Sequence, residues 1–428
     1  MGAAHFQGML ARLIFFWERV RDSLWALPLA IALCGAVLAV FALGVDLPWV
    51  SEIAWLYSGG SQQAPEFASS MVGAMITLTA LAFSITMVVL TLAAQQLGPR
   101  LIEIFMRDRS TQMTLGLFLG TVVYLVLVLR ALDGAESSQS PALAITGGTA
   151  LVLASVISLL FFVHSLASSI VADSVVARVG GALDAAIQES FPATTPEENS
   201  RPKPEGGMPV RLSNRGYVQR IDHAGLVRGA QKSDAVVVLA HDVGSHVING
   251  EIDAWVHARE DVSDIVASAV VFGVRRSASQ DPEWSVRQLV EIALRALSPG
   301  INDVFTALAV IDRLALSLAL LCERGDPRCV WLDENGVPRV FGPGPTFELM
   351  IEGAFNQIRE AGSGQGAVIR RLTTTLRKLA VASGPRHARA LSRQIDLLDV
   401  TADGLSDAAE LLAIEQELRR ARQALKPA

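Results

Sequence analysis

The sequence predicts an α-helical membrane protein of four transmembrane helices followed by a mixed soluble domain, in which a small β-rich, barrel-like module precedes a mainly α-helical C-terminal region. Three observations carry this. Hydrophobic residues make up 51% of the 428 residues and the mean hydropathy is +0.39, yet the chain also holds 36 Lys and Arg and 42 Asp and Glu. No Lys or Arg stands between Arg21 and Arg100, whereas the chain after Arg178 is dense in charge. The hydrophobic period changes beyond the proline-rich, charged stretch at 191–208. Apolar and charged residues kept in separate segments mark a part dissolved in lipid and a part dissolved in water.

Four runs, about 24–45, 71–92, 113–132 and 142–164, are long enough to cross roughly 30 Å of hydrocarbon at about 1.5 Å per helical residue. The first carries about 22 apolar residues, more than a cleaved signal core, and is expected to stay as an anchor. Arg12, Arg19 and Arg21 precede it, and Arg100, Arg107 and Arg109 fill the connection between the second and third runs. The connections 46–70 and 133–141 contain acids but no Lys or Arg. Positive residues stay on the cytoplasmic side. The expectation is therefore a multi-pass protein of the bacterial inner (plasma) membrane with both termini cytoplasmic. Trp49, Trp55 and Tyr57 suit the outer interface, Trp17 and Trp25 the inner one.

In the second run, Gly73, Thr77, Ala80, Ser84, Val88, Thr91 and Gln95 recur at spacings of three and four and form one stripe of small or hydroxyl groups. Met75, Thr79, Ala82, Thr86 and Ala93 form a second stripe. A helix with two such stripes is expected inside a bundle. Close packing and pore lining both fit, because small residues let backbones approach and hydroxyls also line aqueous paths. Gly73, Thr77, Ser84, Thr91 and Gln95 are the candidate pore-lining residues. The fourth run carries Ser155, Ser158, Ser165 and Ser169, with His164 near its end and Asp173 beyond. With no proline between Pro141 and Pro192, one continuous helix is expected to leave the membrane and bend at Gly180-Gly181. His164 and Asp173 are candidate coupling residues.

The expected domains are 1–173 in the membrane, 174–208 as helical extension and linker, 209–258 as the β-rich module and 259–428 as a helical region. Within the module, the sequence predicts strands over VRLSNRGYVQRID and AVVVLAHD, a helix over HAGLVRGAQKSD, and a turn at Asn249-Gly250. Gly244, Val247 and Gly250 look like the turn of lipoyl-type barrels, without a lysine to modify. His223, His241, His246 and His257 fall close together, which raises a zinc site as an option; surface or internally satisfied histidines are the ordinary alternative. From 282, two helices broken at Pro299-Gly300 are expected, the second capped by Asn302 or Asp303. On the first, Glu283, Arg287, Glu291 and Arg295 alternate in sign at spacing four, a solvated ladder, with an oligomer contact or an anion site as the alternatives. A hairpin is expected around Asn335-Gly336, then about four amphipathic helices. Gly362, Gly364 and Gly366 lie between two of these, with no strand before them and no G-K-[ST] after, which fits a helix connection better than a phosphate loop.

Cys34, Cys322 and Cys329 form no disulfide framework. A formal charge of −6 supplies no basic face for nucleic acid, and no cofactor or catalytic constellation is expected. The segments SITMVVLTLAAQQLGPRLIEIFMRDR, RGYVQRID and QDPEWSVRQLVEIALRALSPGINDVFTALAVIDRL give the chain, over most of its length, a resemblance to the bacterial family of predicted membrane proteins catalogued as domain of unknown function 2254. Glu251-Ile252 stands where a Pro-Leu pair is expected. The resemblance implies a four-span region plus a soluble domain, and no reaction. The functional expectation is a homo-oligomeric channel or transport protein for a small solute or ion, with a regulatory cytoplasmic domain. A non-transporting scaffold or sensor, and a metal-dependent enzyme at the membrane interface, are the alternatives.

Overall fold

The structure, a computed structural model, describes residues 25–44, 63–98, 102–106, 108–133, 142–169, 171–213, 215–259, 262–277, 280–405 and 407–425. Trp17, Trp49, Trp55, Tyr57, Arg100, Arg107 and the side chain of Ser169 lie outside the described residues. The chain divides into two compact units, one within 13–171 and one formed from 172 onward.

The first unit is a helical bundle of α1 (Ala26–Gly44), α2 (Ala64–Leu97), the short α3 (Ile102–Met106), α4 (Arg109–Asp133) and α5 (Ala142–Ser169). Pro65 sits in the first turn of α2, where its missing N–H has no intrahelical partner to lose. Asp108 begins α4 by accepting from the Thr111 amide and hydroxyl.

The centre of this bundle is α4 rather than the expected second span. It touches α1, α2 and α5, and Leu115, Phe118, Tyr124 and Leu125 are fully buried. Its sequence G-L-F-L-G places Gly116 and Gly120 on one face. A Cβ on Gly35 of α1 would lie 2.5 Å from the Gly120 carbonyl oxygen, and one on Gly116 would stand 3.0 Å from Pro28 Cα. Two helices meet here backbone to backbone, which only glycine permits. On the other side, Gly147 and Gly148 of α5 make room for Tyr124 and Leu125. The Tyr124 hydroxyl donates to the Ala144 carbonyl at 2.8 Å.

The second unit begins with α6 (Ala172–Ser190), so the expected single helix is interrupted: α5 ends at Ser169 and Val171 takes a bend. Ser168 donates to the Ser165 carbonyl, a local bond that competes with the helical ladder at that end. Gly180-Gly181 makes no bend; both lie within the unbroken α6.

The strands are β1 (Met208–Val210), β2 (Gly216–Ile221), β3 (Val236–Leu239), β4 (His246–Val247), β5 (Ala254–His257), β6 (Val270–Gly273), β7 (Val330–Leu332) and β8 (Pro338–Phe341). Helices α7 (His223–Lys232) and α8 (Ser263–Ala269) lie between them in sequence. One sheet has the order β1-β5-β3-β8-β7 and the other β4-β2-β6. The expected turn at Asn249-Gly250 is present, but β4 and β5 on its two sides enter different sheets. The hairpin at Asn335-Gly336 also forms, and its β8 pairs in parallel with β3. Residues 209–258 therefore do not close into a barrel of their own: the larger sheet is completed by a hairpin lying some 70 residues further along the chain. Val237 and Val340, paired across β3 and β8, are both fully buried.

The helical part comprises α9 (Pro282–Ala296), α10 (Val304–Glu323), α11 (Phe347–Ala361), α12 (Gly366–Ser383), α13 (Ala388–Ala402) and α14 (Ala408–Ala424). The last four are the expected amphipathic helices. Asp303 caps α10 through the Thr306 amide and hydroxyl, while Asn302 adopts φ +52° before it. Gly362 ends α11 as its C-cap, so the glycine run is a helix connection as expected. Helix α9 lies inside this part, against α6, α10 and α11.

Candidate functional site

In the first unit, Gly73, Thr77, Ala80, Ser84, Val88, Thr91 and Gln95 of α2 are all exposed, whereas Met75, Ala82, Thr86 and Ala93 on the other side are buried. The two stripes thus have opposite fates. The second packs the bundle; the first faces away from the other described helices of its unit. Thr77 and Thr91 donate to the carbonyls of Gly73 and Met87, four residues back, and no neighbour approaches the Gly73 Cβ position within 4 Å. Ile76 and Met87 flank this stripe on one side, Leu81 and Leu92 on the other, all exposed. A narrow band of small and polar groups therefore runs between apolar margins along α2. The serines of α5 are different. Ser155 lies 3.2 Å from the Thr121 hydroxyl and Ser158 donates to Thr114 at 3.3 Å, so both belong to the α4–α5 contact. His164 is exposed on α5; Asp173 is exposed in the first turn of α6.

In the second unit, the four histidines do not converge. His223 stacks on Trp331 with ring centroids 3.9 Å apart, and burial pushes its imidazole down to about 4 against the pull of Asp222. His246 meets Tyr217 edge to face at 4.8 Å. His257 Nε2 would lie 2.9 Å from a Cβ on Gly207, and His241 Nε2 is buried with no hydrogen-bond partner. Among the described residues no group of three His, Cys, Asp or Glu has metal-holding geometry.

The expected charge ladder contains the Glu283–Arg287 ion pair, which opens into a deeper network. Glu283 receives Arg287 at 2.6 Å and also Arg276 Nη2 at 2.8 Å. Arg276 donates twice more to Asp281, at 2.8 and 2.9 Å, and both members of that pair are buried. Asp281 in turn caps α9 through the Trp284 amide at 3.0 Å. Burial works against the Glu283 carboxylate, but the two guanidinium groups outweigh it and hold it below its usual range. Gly244, at φ +87°, passes so close to Arg276 and Asp281 that a Cβ there would overlap both. Asp242, two residues earlier, is pushed up to about 7, first by burial and also by the neighbouring Asp281, while the Val243 amide opposes the shift. Arg295 keeps a buried Nε without a hydrogen-bond partner, and Glu291 lies along the same helix. Asn302 accepts from Gln365 Nε2 at 3.3 Å, which ties the α9–α10 turn to the glycine connection.

Arg276 and Asp281 are not singled out by the sequence. The one legible signal was Asp281-Pro282 at a helix start, since a cap and an N1 proline are recognisable without knowing that the cap also holds a buried arginine. Chemically the network is a charged lock between the β strands and α9, with one carboxyl that titrates near neutrality.

Comparisons with known proteins identify a membrane-protein family. The chain is 29% identical over 409 residues to Uncharacterized protein Rv1290c of Mycobacterium tuberculosis (strain ATCC 25618 / H37Rv) and to Uncharacterized protein Mb1321c of Mycobacterium bovis (strain ATCC BAA-935 / AF2122/97), covering 91% of this chain and 78% of each relative. No solved structure matches. Residues 21–378 match the family described as Predicted membrane protein (DUF2254), and the chain belongs to that family.

Proposed function

We propose that this chain is one subunit of a homo-oligomeric channel or transport protein of the bacterial inner membrane, in which the outward stripe of α2 lines the path and the second unit regulates it from the cytoplasm. The observation that carries the reading is the exposure of Gly73, Thr77, Ser84, Thr91 and Gln95 along a single face of a 34-residue helix. Packing within the subunit is taken up by the opposite face. From Gly73 to Gln95 the stripe covers roughly 33 Å at about 1.5 Å per residue, enough for the hydrocarbon thickness.

Among the described residues five helices are long and apolar enough to cross a membrane, the fifth being α10. We assign four spans and leave α10 in water. Arg313 and Asp312 lie at its middle, Arg313 bonded to Asp184 and Ser317 and Asp312 to Arg371, all within the second unit. Charges held this way by soluble neighbours do not suit a bilayer centre. The distribution of arginines supports cytoplasmic termini.

A second reading is favoured by the Thr77 and Thr91 hydroxyls, which bond their own helix as they would in a dry contact. There the protein is a non-transporting scaffold or sensor and the stripe is a sealed subunit interface. Single cysteines at Thr77, Ser84 and Thr91 in proteoliposomes separate the two. Reaction of all three with a membrane-impermeant thiol reagent, together with solute flux under tension, voltage or a pH step, supports the path. Protection of all three with no flux under any stimulus sinks it.

A further inference from the structure

Helix α10 has two faces, one buried and one left largely exposed by the described residues. Val310, Ile311, Leu314, Leu318 and Leu321 are buried among α6, α9 and α12. On the opposite side Ile301, Phe305 and Leu316 are 46%, 84% and 67% exposed, at a spacing that also brings Leu308 and Asp312 to the same face. A soluble surface rarely shows such a ridge without purpose. Helix α12 runs beside it: Leu308, Ala367, Arg370, Arg371 and Thr374 together line a groove of about 220 Å³. The outer face of α12 is basic. Arg370 and Lys378 are exposed and make no ion pair among the described residues, and Arg371 already neutralises Asp312. Val381, 65% exposed, extends the apolar margin.

From this juxtaposition of an apolar ridge on α10 with a basic strip on α12, we propose that this face docks onto an anionic phospholipid surface. Three features select that occupant. Helix α10 passes the length and apolarity expected of a membrane span, yet it cannot cross, because its other face is committed to the soluble core and Asp312 and Arg313 lie at its centre. Its border supplies unpaired cations, the complement of acidic headgroups rather than of a second copy carrying the same cations. The chain is itself anchored in a bilayer, so the surface it would meet is always present. Phe305 and Leu316 enter the headgroup and upper acyl layer, and Arg370 and Lys378 meet phosphates. The inference does not depend on whether the protein conducts.

The test uses the full-length protein, with Cys34, Cys322 and Cys329 replaced and a single cysteine at Phe305 or Leu316 carrying an environment-sensitive fluorophore. It is reconstituted into phosphatidylcholine alone or mixed with phosphatidylglycerol. The expected result is a blue-shifted emission protected from iodide in the anionic vesicles, solvent-like emission in phosphatidylcholine, and loss of the shift in the pair Arg370→Glu and Lys378→Glu. A label at Val400, exposed on α13, stays solvent-like in both and shows that a shift at Phe305 or Leu316 belongs to this face, while circular dichroism of each variant checks that the fold is intact. Solvent-like emission from Phe305 and Leu316 in both lipids overturns the proposal. So does a shift that is equal in both lipids and grows with protein density, which marks a second copy as the occupant.

Discussion

Arg313 of α10 lies across Gly180 of α6, its guanidinium reaching over the glycine to Asp184 one turn on, with Ser317 bonded to the same carboxylate. A side chain at 180 would occupy the space of the arginine itself. The helix pair is thus held by an ion pair that only a glycine lets in. At 181 nothing stands within 4 Å of a Cβ.

The two adjacent glycines therefore respond oppositely to alanine. Gly180→Ala displaces a pinned arginine and leaves Asp184 short of its partner, a loss of about 1–3 kcal/mol by analogy with overpacked cores. Gly181→Ala meets open space in a helix interior and gains up to about 1 kcal/mol from helix propensity. Thermal or urea unfolding followed by tryptophan fluorescence reads the pair, and equal effects at the two positions would refute the account.

This pair also shows where the sequence was legible and where it was not. The apolar runs, the Asp303 cap, the Asn335-Gly336 turn and the four C-terminal helices depend on near neighbours, and all are visible in local pattern. Gly180-Gly181 has the same local pattern as a hinge; what makes it a notch is Arg313, more than 100 residues away. Likewise the stripes of α2 announce small residues, but which helix occupies the centre is decided by Gly116 and Gly120 meeting Gly35. The parallel β3–β8 pairing falls in the same class, since no local signal at 338–341 names its partner strand.

In the membrane unit, the Gly35–Gly120 approach predicts a second contrast. Gly120→Leu, which would force α1 and α4 apart, should lower the thermal stability of the detergent-solubilised protein or abolish its expression. Gly73→Ala, with open space around it among the described residues, should leave the melting temperature of the dissociated subunit unchanged or slightly raised. If Gly120→Leu is tolerated without loss, the backbone contact is not what holds these helices.

Two half-buried groups give opposed pH dependences in the second unit. Asp242 has its carboxyl raised to about 7 in the fold, so between roughly pH 4 and 7 the native state keeps a proton that the unfolded chain gives up, and stability falls as pH rises. His223 is lowered to about 4, so between roughly pH 6.5 and 4 the unfolded chain takes up the proton first, and stability falls as pH drops. In the wild type the two slopes offset one another across their shared window. Asp242→Asn should be more stable than wild type near pH 8, by about 1–3 kcal/mol given that Asp242 is only partly covered, and should then lose stability on acidification. His223→Phe keeps a ring against Trp331 while abolishing the acid slope. Denaturant titrations of the three proteins at several pH values decide it; an Asp242→Asn protein less stable than wild type at alkaline pH would show that the carboxylate is used in its charged form.

The glycine connection makes a last, sharper case. Gly366 begins α12, and a Cβ on it would fall on the carboxylate of Glu410, which reaches across from the first turn of α14. The position that superficially suits a phosphate, a helix N-terminus after a run of glycines, is thus occupied by the protein's own carboxylate, on the side of α12 where the helix dipole favours an anion. Glu410→Gln keeps the shape and removes the charge, and should cost about 0.5–1 kcal/mol, an effect that shrinks as salt is added. Gly366→Ala should cost more, because it expels the carboxylate and adds a methyl where the carboxylate was. Neither change should create affinity for phosphate, since α14 packs against α12 and Glu410 sits at the start of that helix. If isothermal titration shows phosphate binding to Glu410→Gln and not to wild type, Glu410 is instead a built-in competitor of an anion ligand, and the connection is a regulated site.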